Sequence, residues 1–220
     1  MKKKSKRVCL AGVSLLAGFV LWTVLVGFVD VQTIGPNGSS VGFATLNRYV
    51  HNLTGVHMTL YAITDWLGLV PICVALGFAI LGFVQLIQRR SLWKVDGSIL
   101  ALGVFYIVVI AVYVFFEMVV INYRPILIDG NLEASYPSST TLLVACVMPT
   151  AAMQLKERIK NKAFKQCVII TIIAFIVFMV AGRLASGVHW VTDIVGSALF
   201  SSGIVLIYFS IHNSLSKARE

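Results

Sequence analysis

The chain has 220 residues, of which 58% are hydrophobic and only 12% charged. Soluble domains of this length carry roughly a quarter charged residues, so the composition excludes an ordinary water-soluble fold and leaves an integral membrane domain. The formal net charge of +9 would suit a nucleic-acid binder, but the Lys and Arg residues sit in short segments beside apolar runs, a distribution that argues against nucleic acid as a partner and for membrane topology.

A membrane-spanning helix needs about 20 apolar residues, because the hydrocarbon core is roughly 30 Å thick and a helix rises about 1.5 Å per residue. The chain opens with a strongly basic stretch, Met1 to Arg7, followed by the uncharged run 8–29. This resembles a secretory signal, but the run is too long and no small-residue cleavage site closes it, which predicts an uncleaved first span. Cys9 falls too early in the run for lipoprotein attachment.

Segment 30–56 is the longest connection. Gly35-Pro36-Asn37-Gly38 predicts a turn. After it Phe43, Leu46, Val50 and Leu53 recur at helical spacing, with Asn47, Arg48 and His51 off that stripe. The pattern predicts a short amphipathic helix in the membrane interface. Two uses fit it: a cover over a site that opens to the outer leaflet, or a loop helix packed on the bundle.

Further spans are predicted at 60–88, with Asp65 near its start, at 98–122, which contains Glu117, and at 138–155, 167–182 and 189–211. The expected fold is all-α: one membrane-embedded domain over 1–220, built as a bundle of about six transmembrane helices. No internal repeat is apparent. Cys9, Cys73, Cys146 and Cys167 lie in or beside apolar runs without metal-ligand spacing, so neither a disulfide framework nor a metal site is expected.

Orientation follows from the basic residues. One set of connections holds Lys2, Lys3, Lys4, Lys6, Arg7, Arg89, Arg90, Lys94, Lys156, Arg158, Lys160, Lys162, Lys165, Lys217 and Arg219, and the other only Arg48, Arg124 and Arg183. The positive-inside rule then puts both termini in the cytoplasm and the three lone arginines outside.

Charged residues within or beside spans are costly and usually functional. Arg183 ends the fifth predicted span and His189 opens the sixth, so a short hairpin brings them together. Asp193 follows His189 by four residues on the same helix face. A carboxylate there accepts the imidazole Nδ1–H, fixes the tautomer, and leaves Nε2 free as a nucleophile or base. The alternative is a helix-end His–Asp hydrogen bond with a snorkelling Arg. At the same face Arg124-Pro125 follows the third span, and Pro137-Ser138-Ser139-Thr140 opens the fourth. A helix start exposes free N–H groups and the positive end of the dipole, and guanidinium groups match phosphate oxygens bidentately. The arrangement reads as an outward-facing phosphate site.

These segments resemble the type 2 phosphatidic acid phosphatase superfamily, which includes vanadium haloperoxidases. That family carries Lys-x6-Arg-Pro, then Pro-Ser-Gly-His, then Ser-Arg-x5-His-x3-Asp. This chain has Glu117-x6-Arg124-Pro125, then Pro137-Ser138-Ser139-Thr140, then Gly182-Arg183-x5-His189-x3-Asp193. The resemblance implies that His189 attacks phosphorus to form a phosphohistidine, that Asp193 orients it, and that Arg124, Arg183 and Ser138 hold the phosphoryl oxygens, with Ser139 and Thr140 contributing through the helix start. The arginines and the helix start supply the positive charge, so neither a metal nor a cofactor is expected.

The first and second motifs depart from the family. Thr140 stands where the family has a His that protonates the leaving group, and Glu117 stands where it has a phosphate-binding Lys. General acid catalysis is worth about 10²–10⁴-fold, a loss that weighs on an alcohol leaving group and much less on phosphate. The readings are therefore cleavage of a lipid pyrophosphate, a proton supplied by Glu117, Glu133, His51 or His57, or a catalytically impaired member that binds or presents a lipid phosphate. Glu117 could equally be an ion-pair partner of a site arginine. The expected partners are a lipid phosphate or pyrophosphate and membrane lipids, in a cell membrane, with the site on the extracytoplasmic side.

Overall fold

The computed structural model describes residues 2–217, with side chains from residue 5 to 215; Met1, the side chains of Lys2, Lys3, Lys4 and Lys217, and Arg219 lie outside the described residues. Eight α-helices follow in order: α1 (Lys2–Phe28), α2 (Ala44–Thr54), α3 (Met58–Leu67), α4 (Leu69–Arg89), α5 (Gly97–Met118), α6 (Ser139–Arg158), α7 (Lys162–Ala185) and α8 (Val191–Lys217). Among the described residues the only β pairings are isolated antiparallel bridges, so the chain is all-α. Five helical stretches are long and apolar enough to cross a membrane: Ser5–Phe28, Met58–Arg89, Gly97–Met118, Lys162–Ala185 and Val191–Leu215.

The expected boundaries shift where polar chemistry intervenes. The second span, expected at 60–88, is two helices that meet at Gly68, whose N–H is taken by the Thr64 and Asp65 carbonyls. The third, expected to reach 122, stops at Met118 because 119–138 folds back on itself. The fifth, expected at 167–182, is longer at both ends, capped at its start by the Asn161 side chain, which accepts from Phe164 N–H. The sixth begins at Val191 rather than His189, because 186–190 is a tight connection.

The fourth predicted span is α6, and it is not one of the five apolar stretches. It packs against α4, α5, α7 and α8, so its neighbours are protein on most sides. Thr140, Thr141, Thr150 and Gln154 are all buried in it. Gln154 donates to the Ser98 carbonyl and to Tyr208 Oη, and Thr150 donates back to the Cys146 carbonyl. Shielding from lipid lets a helix of 20 residues, about 30 Å long, keep polar side chains that a lipid-facing helix could not satisfy.

α1 and α8 lie along each other, running in opposite directions. A Cβ on Gly12 would fall 2.7 Å from the Gly203 carbonyl oxygen, and one on Gly203 3.0 Å from the Gly12 oxygen. Small residues at this crossing allow the backbones to touch, the usual source of helix association where lipid removes the hydrophobic drive. At one end Ser5 Oγ meets Ser210 Oγ at 2.7 Å, so the N-terminal part of α1 and the C-terminal part of α8 sit together. Toward the other end Phe19, Phe116, Tyr136 and Phe200 form an aromatic cluster.

Helix α2 forms as the spacing predicts, but Phe43 precedes it in a left-handed conformation. Its outer face mixes polar residues, Thr45, Arg48 and Asn52, with apolar ones. Ala44 and Asn47 are buried, whereas Leu46 and Leu53 face away from the protein. Asn47 holds Thr192 of α8 through its side-chain amide. Asp30, outside the helix, accepts from the Thr45 N–H at 2.7 Å, and that bond pulls its pKa below the usual carboxylate value. The turn at Gly35 to Gly38 is present as a short 3-10 segment. The four cysteines are unpaired.

Candidate active site

The connection between α7 and α8 sets the position of His189. Gly187 has φ +69°, and a Cβ there would sit 1.9 Å from the Gly55 carbonyl oxygen, so both the left-handed backbone and the close approach require glycine. His57 N–H donates to the Ser186 carbonyl at 2.9 Å. The Trp190 indole N–H donates to the Tyr123 carbonyl at 2.8 Å. The loop is thereby tied to the α2–α3 connection on one side and to segment 119–138 on the other.

That segment is a short hairpin. Ile128 and Asn131 exchange both backbone hydrogen bonds across Asp129-Gly130, whose φ values of 48° and 79° are those of the two-residue turn that Asp-Gly favours. Farther along, Arg124 N–H donates to the Glu133 carbonyl at 3.0 Å, and Ser135 N–H to the Asn122 carbonyl at 2.9 Å. The hairpin therefore delivers Asn122, Arg124, Glu133 and Ser135 together. Tyr136 anchors its return strand: it stacks on Phe19, its hydroxyl meets Thr23 Oγ1 at 2.7 Å, and burial raises its pKa above the usual phenol value.

His189 is 3% exposed and Asp193 fully buried. Their closest approach, Nδ1 to Oδ2, is 3.7 Å, too long for a hydrogen bond. Ser135 Oγ stands between them, 3.0 Å from Nδ1 and donating to Asp193 Oδ2. The same Oδ2 accepts the Trp190 N–H at 2.9 Å, and the Asn122 side chain is the next polar group beside the carboxylate. On the far side of the ring, Arg183 Nη2 lies 3.3 Å from Nε2. Burial, reinforced by the charges of Arg124 and Arg183, holds the His189 pKa well below its ordinary 6.5, so the imidazole is neutral at physiological pH.

Arg183 and Arg124 converge on one aromatic face, with their guanidinium carbons 4.9 Å and 5.8 Å from the Tyr61 ring centre. Each carries one carboxylate: Asp65 lies 3.4 Å from Arg183 Nη1, and Glu133 3.1 Å from Arg124 Nε. Arg183 Nε and Arg124 Nη1 are buried and have no protein acceptor. Two half-satisfied guanidinium groups beside a neutral imidazole make a site for a tetrahedral anion.

The helix start is placed as the spacing predicts, but its side chains divide the work. Ser138 is fully buried, donates its hydroxyl to Thr141 Oγ1 at 3.0 Å, and gives its N–H to the Asp193 carbonyl at 3.3 Å. Ser139 lines a narrow cleft with His189, Ser135, Pro137, Tyr113 and Glu117. Thr140 turns toward the α3–α4 break, where its methyl lies 3.4 Å from the place of a Cβ on Gly68. The first-turn N–H groups of α6 have no carbonyl partner within the helix. Glu117 is exposed in the last turn of α5. The arginines take Glu133 and Asp65 as ion-pair partners, and no ion pair of Glu117 occurs among the described residues. His51 packs on Trp190 and His57 bonds the Thr54 carbonyl.

From Tyr113 the cleft meets an apolar groove of about 390 Å³ between α4 and α5, with Leu143 and Val147 of α6 behind it. A second apolar hollow of about 410 Å³ continues from Ala79 along the same two helices.

Sequence reasoning named His189, Asp193, Arg124, Arg183 and the Pro137 to Thr140 helix start, and the fold brings these together. It left Ser135, Asn122, Tyr61 and the Asp65–Arg183 pair unread. The Asp129-Gly130 dipeptide was the available signal for the hairpin that carries Asn122 and Ser135.

Residues 120–217 match the PAP2 superfamily. A crystal structure described as the first transmembrane PAP2 type phosphatidylglycerolphosphate phosphatase from Bacillus subtilis superposes over 95% of this chain and 97% of that chain, with a TM-score of 0.60 and 19% identity. Likeness at that identity speaks for a shared fold. No curated protein matches the chain. The matched segment begins after Glu117 and holds Arg124, Ser135, Ser138, Arg183, His189 and Asp193, so over these residues the chain is similar to the PAP2 superfamily.

Proposed function

We propose that the chain is a membrane lipid phosphatase that works from the extracytoplasmic face through a phosphohistidine on His189. The observation that carries this reading is the state of the imidazole. Nδ1 is tied through Ser135 to Asp193, and Nε2 points at Arg183, 3.3 Å away, inside a pair of arginines. A phosphoryl group drawn to Arg183 and Arg124 meets the Nε2 lone pair directly.

In the first step the Nε2–P bond forms as the bond from phosphorus to the leaving oxygen breaks, the electron pair departing with that oxygen. The ring becomes cationic while its Nδ1 proton stays in place, and Asp193 stabilises the charge. In the second step water adds to phosphorus, the N–P electron pair returns to Nε2, and one water proton passes to solvent. Arg124, Arg183 and the free first-turn N–H groups of α6, at Ser139 and Thr140, hold the oxygens, while Ser138, whose hydroxyl and N–H go to Thr141 and Asp193, fixes that helix start. Thr140 has no acidic proton to give where the family has His, which favours a pyrophosphate over a monoester. The groove between α4 and α5 suits the lipid chain. With α6 as a protein-enclosed sixth crossing, both termini are cytoplasmic, in accord with the charge asymmetry.

The test is phosphate release by the detergent-purified chain, in chelator, from phosphatidic acid, phosphatidylglycerol phosphate, and a polyprenyl monophosphate and pyrophosphate. Release above a His189→Ala control, highest on the pyrophosphate, is expected. No release above that control on any of these substrates leaves a protein that binds or presents a lipid phosphate, the reading that Thr140 and Glu117 favour. A clear preference for monoesters would overturn the leaving-group argument.

A further inference from the structure

We propose that Ser135 is a positioning residue for His189: its hydroxyl, not a direct carboxylate contact, joins the imidazole to Asp193. The inference rests on the reading of His189 as the nucleophile. Ser135 is 2% exposed and lies outside the three motifs. Its Oγ is 3.0 Å from His189 Nδ1 and donates to Asp193 Oδ2, while the direct Nδ1–Oδ2 separation is 3.7 Å.

The protons assign themselves. A serine hydroxyl has one proton to give. With that proton on Asp193 Oδ2, the bond to His189 needs the ring as donor, so the neutral imidazole carries its proton on Nδ1. The Nε2 lone pair is then left to face Arg183 Nη2, which is a donor. Arg183 and Ser135 thus demand the same tautomer from opposite edges of the ring. The serine does what the carboxylate would do at a shorter distance: it fixes the ring's rotation and carries the stabilising effect of Asp193 to the cationic ring of the phosphoenzyme.

The hairpin explains why a serine two residues before Pro137 can reach this place. Ser135 N–H is held by the Asn122 carbonyl at 2.9 Å, and Tyr136 is locked among Phe19, Phe116 and Thr23. The Ser138 N–H bond to the Asp193 carbonyl ties the same segment to α8. The groups that face the imidazole are Arg183 from α7, Arg124 and Ser135 from the hairpin, Asp193 from α8, Tyr61 from α3 beneath the arginines, and Glu117 from α5 across the cleft.

Two measurements on the full chain in detergent decide it. With ¹⁵N-labelled histidine, the His189 signals, assigned by their loss in His189→Ala, should report a neutral ring protonated on Nδ1 at pH 7.5. A ring protonated on Nε2, or on both nitrogens, overturns the proposal, and this outcome does not depend on whether any substrate is turned over. Ser135→Ala should lower kcat roughly ten- to hundredfold, the range for stranding a buried donor, with KM within about twofold of the parent. Ser135→Thr, which keeps the hydroxyl, should recover most of kcat. A Ser135→Ala enzyme with kcat within about twofold of the parent would overturn the proposal, as would a Thr variant no better than Ala. Absence of turnover in the parent chain would instead defeat the phosphatase reading, and the ¹⁵N result would still stand for Ser135.

Discussion

Across one cleft, His189 and Glu117 are held in opposite ways. His189 is 3% exposed, with Ser135 on one nitrogen and Arg183 on the other. Glu117, from the end of α5, is exposed, and the site arginines have taken other carboxylates. The half around His189 is a closed network in which each group restricts its neighbour, and the half around Glu117 is open and lightly held. A network of the first kind tolerates little change, whereas groups of the second kind can be exchanged with graded effects.

The largest effect is expected where the closed half is cut. Arg183→Lys removes the planar fork that reaches His189 Nε2, Asp65 and Thr64 together, and an ammonium cannot reproduce it. Steady-state kinetics should show kcat/KM down about a hundredfold on every substrate. An Arg183→Lys enzyme that kept parental efficiency would place the phosphate elsewhere.

On the open half a gain is possible. Thr140→His supplies the family's missing acid at the α6 start, next to Ser139 on the cleft wall. Monoester turnover should rise about tenfold, at the low end for general acid catalysis, while pyrophosphate turnover changes little. Equal change on both substrates would contradict the leaving-group argument. A smaller gain is expected from Glu117→Lys, which restores the family's charge at the cleft edge: KM for anionic lipid should fall about threefold, an effect that added salt should weaken.

The pH response separates the halves without mutation. The folded His189 pKa lies below 6.5, its unfolded value. Above pH 6.5 both states are neutral there and the group contributes nothing to pH dependence. Below it the unfolded chain takes a proton that the buried ring refuses, so stability falls as pH falls. Thermal unfolding in detergent should show that loss setting in below about pH 6.5, and a His189→Asn variant should show less of it.

Much of the site was legible because its residues are close in sequence. Arg183, His189 and Asp193 fall on one helical hairpin, and spacing alone brings them together. Ser135 reaches His189 across 54 positions, through a hairpin that only Asp129-Gly130 signals and an aromatic anchor that no local pattern encodes. The α2 stripe was legible as a helix but not as an orientation: Leu46 and Leu53 face outward and Asn47 inward, because the Asn47 amide finds its partners on Thr192 of α8. In α6, Gln154 and Thr150 break the apolar run, and it is the partners on α5 and α8 that make them tolerable.

The pairing of α1 with α8 through Gly12 and Gly203 has a consequence for biogenesis. α1 leaves the ribosome before α8, so during insertion it must wait in lipid, its glycine face unmatched, until the six intervening helices have been made. Asp193 and Thr192, which meet the hairpin and α2, arrive only with α8. The cluster around His189 therefore cannot form until α8 has been inserted, and it is completed in one event.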